Sequence, residues 1–408
     1  MRTAILASTV VVAVVAGLAP APPVAACTTA VISGSATPDG RPLLWKNRDT
    51  DDLHNQVVYR DDGKFPYLGV VNQRDAAGLE IWAGINAEGF AIMNSASYNL
   101  DDVDTVAEGA FMKVALQSCR TLADFQALLE ATNEAGRSTT ANFGVVDAHG
   151  GAAYFETGVH EFKRFDATDP AVAPQGWIVR TNYSEGGDAR LGSGLIRFER
   201  ARSLVGGLAA AGRLTAATLL AEVARDTANA RIGQFPGWPG AAEWAYIGDS
   251  INRDLTGSTA LFAGVKPGED PRLATMWVIL GQPVTGVAVP LWVAAAGVPA
   301  EVAVTRAPAP LNAACDRVRA LLVPTWRGDL KRYLHVPTLV EPGRGVLAAL
   351  LPREAANFAA AAAAVERWRA ARPSAADVLA FESELARETL AAIDRSVAGR
   401  TPSPSPTP

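Results

Sequence analysis

Ala25-Ala26-Cys27-Thr28-Thr29 is the stretch whose reading decides the fold. Before it, Met1-Arg2-Thr3 is a short cationic start, Ala4 to Leu18 is an apolar run interrupted only by Ser8-Thr9, and Ala19 to Ala26 is rich in Pro and Ala. That is the layout of a secretory signal peptide, residues 1–26, cut before Cys27. The apolar run is too short, and too close to the terminus, to be read first as a membrane-spanning helix. Cleavage leaves Cys27 with both a thiol and a free α-amine, a nucleophile with its own base. Two other readings of the same residues compete. Val24-Ala25-Ala26-Cys27 also passes as a lipobox, in which the thiol carries a diacylglyceryl anchor. The third is that Cys27 is a small residue beside a cleavage site, or one half of a disulfide. A thioether cannot attack a carbonyl, so the anchor and the nucleophile exclude each other.

Working outward, the chain of 408 residues is long enough to bury a sizeable core in one large domain or two. A net charge of −5 argues against a nucleic-acid partner. Beyond the signal there is no second apolar run of membrane-spanning length, so no membrane partner is expected unless Cys27 is lipidated. Cys119 and Cys315 are the remaining cysteines, and an exported chain can hold them as a disulfide or as buried thiols.

From Cys27 the pattern is one of short strands. Thr28 to Ser33 alternates, Thr37-Pro38-Asp39-Gly40 is a turn, and Pro42 to Lys46 runs back, so Asn47-Arg48-Asp49 leaves the partner strand near Cys27. Further strands are predicted at 56–60, 67–72 and 79–85, with Asn86-Ala87-Glu88-Gly89 turning into 90–95. Helical spacing follows at 109–119 and 122–132, the second opened by Thr121. Strands return at 142–147, 151–156 and 177–181, then helices at 193–208 and 215–225, then a strand pair at 274–280 and 286–294. A helix at 310–322 and an αα-hairpin at 353–398, broken at Pro373, close the domain of residues 27–398. Ser374 with Asp377 is a capping box for the last helix. Residues 399–408, rich in Pro, Ser and Thr, read as a disordered tail. This order predicts an α+β fold with two antiparallel sheets layered with helices.

The chemistry that the chain excludes narrows the rest. His54, His149, His160 and His335 stand apart, with no ligand spacing for a metal, and no phosphate loop is present, so neither metal nor cofactor is expected. Gly248-Asp249-Ser250 resembles the start of some serine esterases, yet the sole Asp-x-x-His, Asp51 to His54, lies on the wrong side of it. No Gly-x-Ser-x-Gly elbow occurs.

What remains is a set of polar residues at predicted strand ends. Cys27-Thr28-Thr29 opens a strand; Lys46-Asn47-Arg48-Asp49 follows. Asn86-Ala87-Glu88-Gly89 leads through a strand to Asn94, Arg180-Thr181-Asn182 ends another, and Arg197-Phe198-Glu199-Arg200 opens a helix. In this order they resemble the linear-amide C–N hydrolases of the Ntn superfamily. That family includes choloylglycine (bile salt) hydrolases, penicillin V acylases and the related acyl-CoA:6-aminopenicillanate acyltransferases. The resemblance spans Cys27 to about Arg202.

It implies a four-layer αββα sandwich of two antiparallel sheets between helices. It also implies that Cys27 is the nucleophile, that Asp49 orients it and its α-amine, and that Asn94 and Asn182 donate to the oxyanion. Arg197 would stabilise developing charge. The family has Arg where this chain has Lys46, and Arg48 is the other candidate for that basic position. The implied protein is an exported hydrolase, secreted or periplasmic, acting on a small-molecule N-acyl amide through an acyl thioester, and a homo-oligomer is open. An acyltransferase using the same thioester is the nearer alternative, and a lipid-anchored, non-catalytic Ntn-like binding domain the more distant one. Trp82, Phe90 and Met93 are candidates to line the acyl pocket, and Trp277 and Trp292 read equally as pocket or core.

Overall fold

The computed structural model describes residues 26–100, 107–237, 242–305, 308–323 and 328–403. The predicted signal lies outside them except for Ala26, as do residues 404–408 of the tail. In chain order, β1 (Thr28–Ile32), β2 (Leu43–Asp49), β3 (Asn55–Arg60), β4 (Tyr67–Asn72), β5 (Ala83–Asn86) and β6 (Ala91–Ala96) come first. Helices α1 (Glu108–Ser118) and α2 (Leu122–Asn133) follow, then β7 (Ala141–Val146), β8 (Ala152–Thr157), β9 (Phe162–Asp166), β10 (Trp177–Arg180) and helix α3 (Leu195–Ala210). The last part holds β11 (Trp244–Tyr246), β12 (Thr256–Ala263), β13 (Thr275–Leu280), β14 (Val289–Leu291), α4 (Pro310–Leu322), β15 (Tyr333–His335), α5 (Val346–Ala370) and α6 (Ala375–Val397).

Two antiparallel sheets dominate. One has the order β10-β1-β2-β12-β13-β14, and the other is a meander from β3 to β9; β11 and β15 make a small separate pair. Alternation along each strand sends neighbours to opposite faces. Val31, Leu44, Ala260, Phe262 and Val278 of the first sheet therefore meet Val57, Leu68, Val70, Ala83, Met93 and Tyr154 of the second. Ala30, Trp45, Leu261 and Trp277 point the other way, onto Ala201 and Val205 of α3, Ala361 of α5 and Val378 of α6. On the far face of the second sheet, Phe90, Phe143 and Phe155 pack with Met112 and Leu116 of α1 and Phe125 of α2. Phe125 meets Phe143 and Phe155 edge to face, at 5.8 and 5.1 Å between centroids; each such pair adds about 1 kcal/mol beyond burial. The layers are thus helix, sheet, sheet, helix, the α+β sandwich expected.

Local chemistry explains the elements that place the site. Gly89, with φ of 75°, closes the β5–β6 turn, and Asn86 Oδ1 accepts from the Glu88 and Phe90 N–H groups. The Asn86 amide then donates to the carbonyls of Leu116 and Cys119, so one turn residue also fastens the end of α1. Both predicted helix starts, Thr121 and Ser374, carry complete capping boxes.

Several expectations are corrected. The strand predicted at 79–85 pairs only from Ala83, because Ile81 instead donates its N–H to Gly109. The helix predicted at 215–225 is one α-turn followed by a π-helix, Leu219–Ala224. The strand at 286–294 shrinks to Val289–Leu291. Helix α5 begins at Val346 and runs through Pro352, seven residues before the predicted start. An interior proline costs a helix about 3 kcal/mol, offset here by Val346 and Leu350, both fully buried. Strand β12, at the centre of the first sheet, was not predicted at all. Cys119 and Cys315 are separate buried thiols, pushed up by burial to about 11 and about 12. Of the tail, Ser403 is held by hydrogen bonds from its N–H and hydroxyl to the carbonyl of Leu321.

Candidate active site

Cys27 stands at the entrance of β1, only 7% exposed. In the full chain its nitrogen is a peptide N–H, and it donates to Asn182 Oδ1 at 3.0 Å. Its carbonyl accepts from Arg197 Nη1 at 2.6 Å, and the same nitrogen reaches Thr28 Oγ1 at 2.8 Å. Arg197 Nη2 donates to Asn182 Oδ1 at 3.0 Å, closing a ring of contacts around the Cys27 backbone. Two elements make this possible. Asn182 follows the end of β10, which pairs with β1 through Thr29 and Arg180. Arg197 lies in the first turn of α3, entered through Gly194 with φ of 83°. A Cβ on Gly194 would lie 2.5 Å from Arg197 Nη2 and 2.9 Å from Thr181 Oγ1, so glycine is needed both for φ and for space.

The amide of Asn182 is bound at both ends. Its amide nitrogen donates to the carbonyl of Ala96 at 2.9 Å, and its oxygen serves Cys27 and Arg197. Cys27 N–H and the guanidinium are both donors, so the amide oxygen must face them. In the full chain Asn182 is thus an acceptor at the Cys27 nitrogen.

Asp49 ends β2 and is wholly buried. Oδ1 accepts from Thr256 at 2.7 Å. Oδ2 makes no hydrogen bond and faces Arg197 at 3.9 Å and Arg253 at 3.8 Å. Burial raises the carboxyl to about 6, against the pull of both arginines and the Thr256 hydroxyl. Arg253 was missed by the sequence reading; the one signal for it, three residues before β12, was hidden with that strand.

The β1–β2 register pairs Thr28 with Asn47 and Thr29 with Lys46. Continued by one step, it sets Cys27 across from Arg48, with Lys46 on the same face, between the sheets. Asp49 lies on the other face, with Arg197. Lys46, 2% exposed, donates to Asn94 Oδ1 at 2.6 Å and to the Trp82 carbonyl at 2.8 Å. Burial lowers it to about 8, with the charge of Cys27 the largest opposing influence. Arg48 lies 4.6 Å over the Trp82 ring and donates to Asn55 Oδ1 at 2.5 Å. Burial lowers it to about 10, so both side chains are cations at neutral pH. A thiolate at Cys27 would therefore sit in the field of Lys46 and Arg48.

Of the expected pocket residues, Phe90 and Met93 are fully buried core, as is Trp292, while Trp277 is almost so and stacks on Phe358 at 3.8 Å. Trp82 alone among the three pocket candidates is half-buried. A groove of about 760 Å³ adjoins the site, lined by Tyr98, Leu100, Glu161, Phe162, Lys163 and Leu191 among others; that size suits a small organic ligand. Tyr98 is the link, because its N–H donates to the carbonyl of Asn182 at 3.4 Å; burial and then the charge of Cys27 push its hydroxyl above the ordinary value. Among the described residues no group of three or more His, Cys, Asp or Glu side chains could hold a metal ion. No helix among them is long and apolar enough to cross a membrane.

No protein-family model matches the sequence, and no curated protein matches it. Solved structures to which the chain is similar are Ntn-hydrolase family members. A mutant of conjugated bile acid hydrolase from Clostridium perfringens shares 13% identity at a TM-score of 0.40, over 65% of this chain and 92% of that one. Penicillin V acylase from Agrobacterium tumefaciens shares 13% at 0.37, over 65% and 85%. The Caenorhabditis elegans orthologue of N-acylethanolamine-hydrolyzing acid amidase shares 15% at 0.36, over 60% and 93%. At such identities and scores, it is the geometry around Cys27 that bears on function.

Proposed function

We propose that this chain is an exported amide hydrolase whose nucleophile is Cys27, made N-terminal by removal of residues 1–26, and that it cleaves the linear C–N bond of an N-acyl substrate. One observation carries the reading. The nitrogen and carbonyl of Cys27 are each held by a buried side chain, Asn182 and Arg197, and Arg197 also lies 3.9 Å from a buried carboxylate with an unbonded oxygen, Asp49 Oδ2. Every buried backbone N–H and C=O needs a partner, but here both partners are side chains converging from the end of β10 and from α3 on one residue. An α-amine calls for such convergence, because its lone pair must be aimed and its charged form countered.

In the reaction the α-amine takes the thiol proton, directly or through water, and the sulfur attacks the amide carbonyl carbon. A single well-placed donor to the resulting oxyanion is worth about 3 kcal/mol. Asn94 is the candidate, with its oxygen turned to Lys46. The tetrahedral intermediate expels the amine, which leaves with the proton from the α-ammonium. Water then adds to the thioester, the α-amine takes its proton, and the carboxylic acid departs as the thiol is restored. In the precursor the nitrogen is a peptide nitrogen with no basic lone pair, so the uncleaved chain should be inactive.

The test joins the mature N-terminus to activity. Intact-mass and N-terminal analysis should find Cys27 first, and a panel of conjugated bile salts, penicillin V, N-acyl amino acids and acyl homoserine lactones should include a hydrolysed member. Cys27→Ala should abolish that hydrolysis. Unchanged hydrolysis, another first residue, or a lipid on Cys27 would end the proposal. Acyl transfer to an added amine would make the protein an acyltransferase.

A further inference from the structure

The contacts of Lys46 exceed what a counter-charge requires. The β5–β6 ladder pairs Ala83 with Met93, Gly84 with Ile92 and Ile85 with Ala91. Trp82 and Asn94 lie one step beyond its last pair, where the strands part. Lys46 belongs to the other sheet, and its ammonium enters that opening to bond the Trp82 carbonyl at 2.8 Å and Asn94 Oδ1 at 2.6 Å. An ammonium has donors and no acceptor, so the amide can only present its oxygen to it. Asn94 is 4% exposed, and among the described residues no hydrogen bond occupies its Nδ2. Trp82 gives its carbonyl to Lys46 and its ring face to Arg48, so the two cations are held apart.

We propose that Lys46 is a positioning residue for Asn94: it locks the amide with its oxygen inward and so leaves Nδ2 as the donor for the oxyanion of the reaction proposed above. The inference rests on that reading. It differs from treating Lys46 as the counter-ion of a Cys27 thiolate, and the two roles separate in one experiment.

Mature wild type, Lys46→Met, Asn94→Ala, the double variant and Asn94→Asp are compared in two assays. One is alkylation of Cys27 by iodoacetamide, a displacement at saturated carbon that forms no oxyanion. The other is hydrolysis of an N-acyl p-nitroanilide. Lys46→Met should lower kcat for hydrolysis at least about 10-fold with KM little changed, and Asn94→Ala about 100-fold or more. The double variant should lose no more than about 3-fold beyond Asn94→Ala, as expected when one residue acts through the other. Alkylation should stay within about 3-fold of wild type in Asn94→Ala and Asn94→Asp, which also reports an assembled site. In Lys46→Met, which takes a cation from beside the thiolate, it should fall at least about 3-fold less than hydrolysis. Asn94→Asp keeps an acceptor for Lys46 but has no N–H, and should hydrolyse no better than Asn94→Ala. Alkylation falling in step with hydrolysis in Lys46→Met, or additive losses in the double variant, would overturn this proposal alone. A wild type with no Cys27-dependent cleavage of any amide would remove the functional reading and this inference together.

Discussion

Asp49 is ringed by charge yet bonded through one oxygen only. Its environment has a measurable sign. With the carboxyl raised to about 6, the carboxylate that would steady the α-amine in the proposed reaction forms as pH climbs through that value. The kcat/KM of the wild type should therefore rise with pH through a limb near 6. Arg253 holds the carboxyl down more than any other group, so Arg253→Met should move the limb upward, and pH–rate profiles of the two proteins check this. A limb that stays in place would show that another group sets it. At this scale the sequence was informative where a side chain meets backbone. Cys27, Asn182 and Arg197 converge as a set, and Asp49 closes it at ion-pair distance. Amide orientation was not legible, because whether Asn182 gives or accepts is decided by its partners, Arg197 and Cys27, from two other elements.

The elements that carry these residues were legible to the degree that turn chemistry or periodicity marked them. Asn86 to Gly89 announces the β5–β6 hairpin because glycine is needed where φ is positive, and the chain turns there. Strand β12 escaped because Thr256-Gly257-Ser258-Thr259 lacks alternating large apolar residues. It is a strand because β2 and β13 flank it on both sides, a tertiary cause that no local pattern shows. Its small residues admit the Asn47–Thr259 and Asp49–Thr256 contacts. Gly194 was likewise silent in the sequence. Gly194→Ala should displace Arg197, cutting kcat/KM about 10-fold or more while costing about 1–3 kcal/mol of stability through its backbone strain. Turnover and a urea melt of the same protein test both halves, and an active, fully stable variant would refute the role given to this glycine.

For the molecule as a whole, the helical layer over the first sheet is bolted by Arg225 and Glu354. Two hydrogen bonds, at 2.7 and 2.6 Å, join them in the interior. Glu354 also accepts the N–H of Ala288, and Arg225 donates to the carbonyls of Leu220, Pro283 and Gly286. Removing one partner strands a buried charge, so Arg225→Met should cost about 3–5 kcal/mol. Chemical denaturation would read that loss, and a change below about 1 kcal/mol would show the pair to be idle. The layered α+β arrangement itself followed from the order of strands and helices, whereas the ties between layers, being long-range polar contacts, had no sequence signature.

Asn182 spans both halves of the sandwich: its oxygen is bound to Cys27 beside β1, and its nitrogen to Ala96 at the end of β6. One amide a few ångströms across thus acts as a feeler gauge for the gap between the sheets. Thermal breathing that widens the gap must break its bond to Ala96 or those to Cys27 and Arg197 while both ladders stay intact. On warming, the rate of Cys27-dependent turnover should then fall below its Arrhenius line at temperatures where far-UV circular dichroism is still that of the native state. The protein would thus report loosening between its layers before either layer melts.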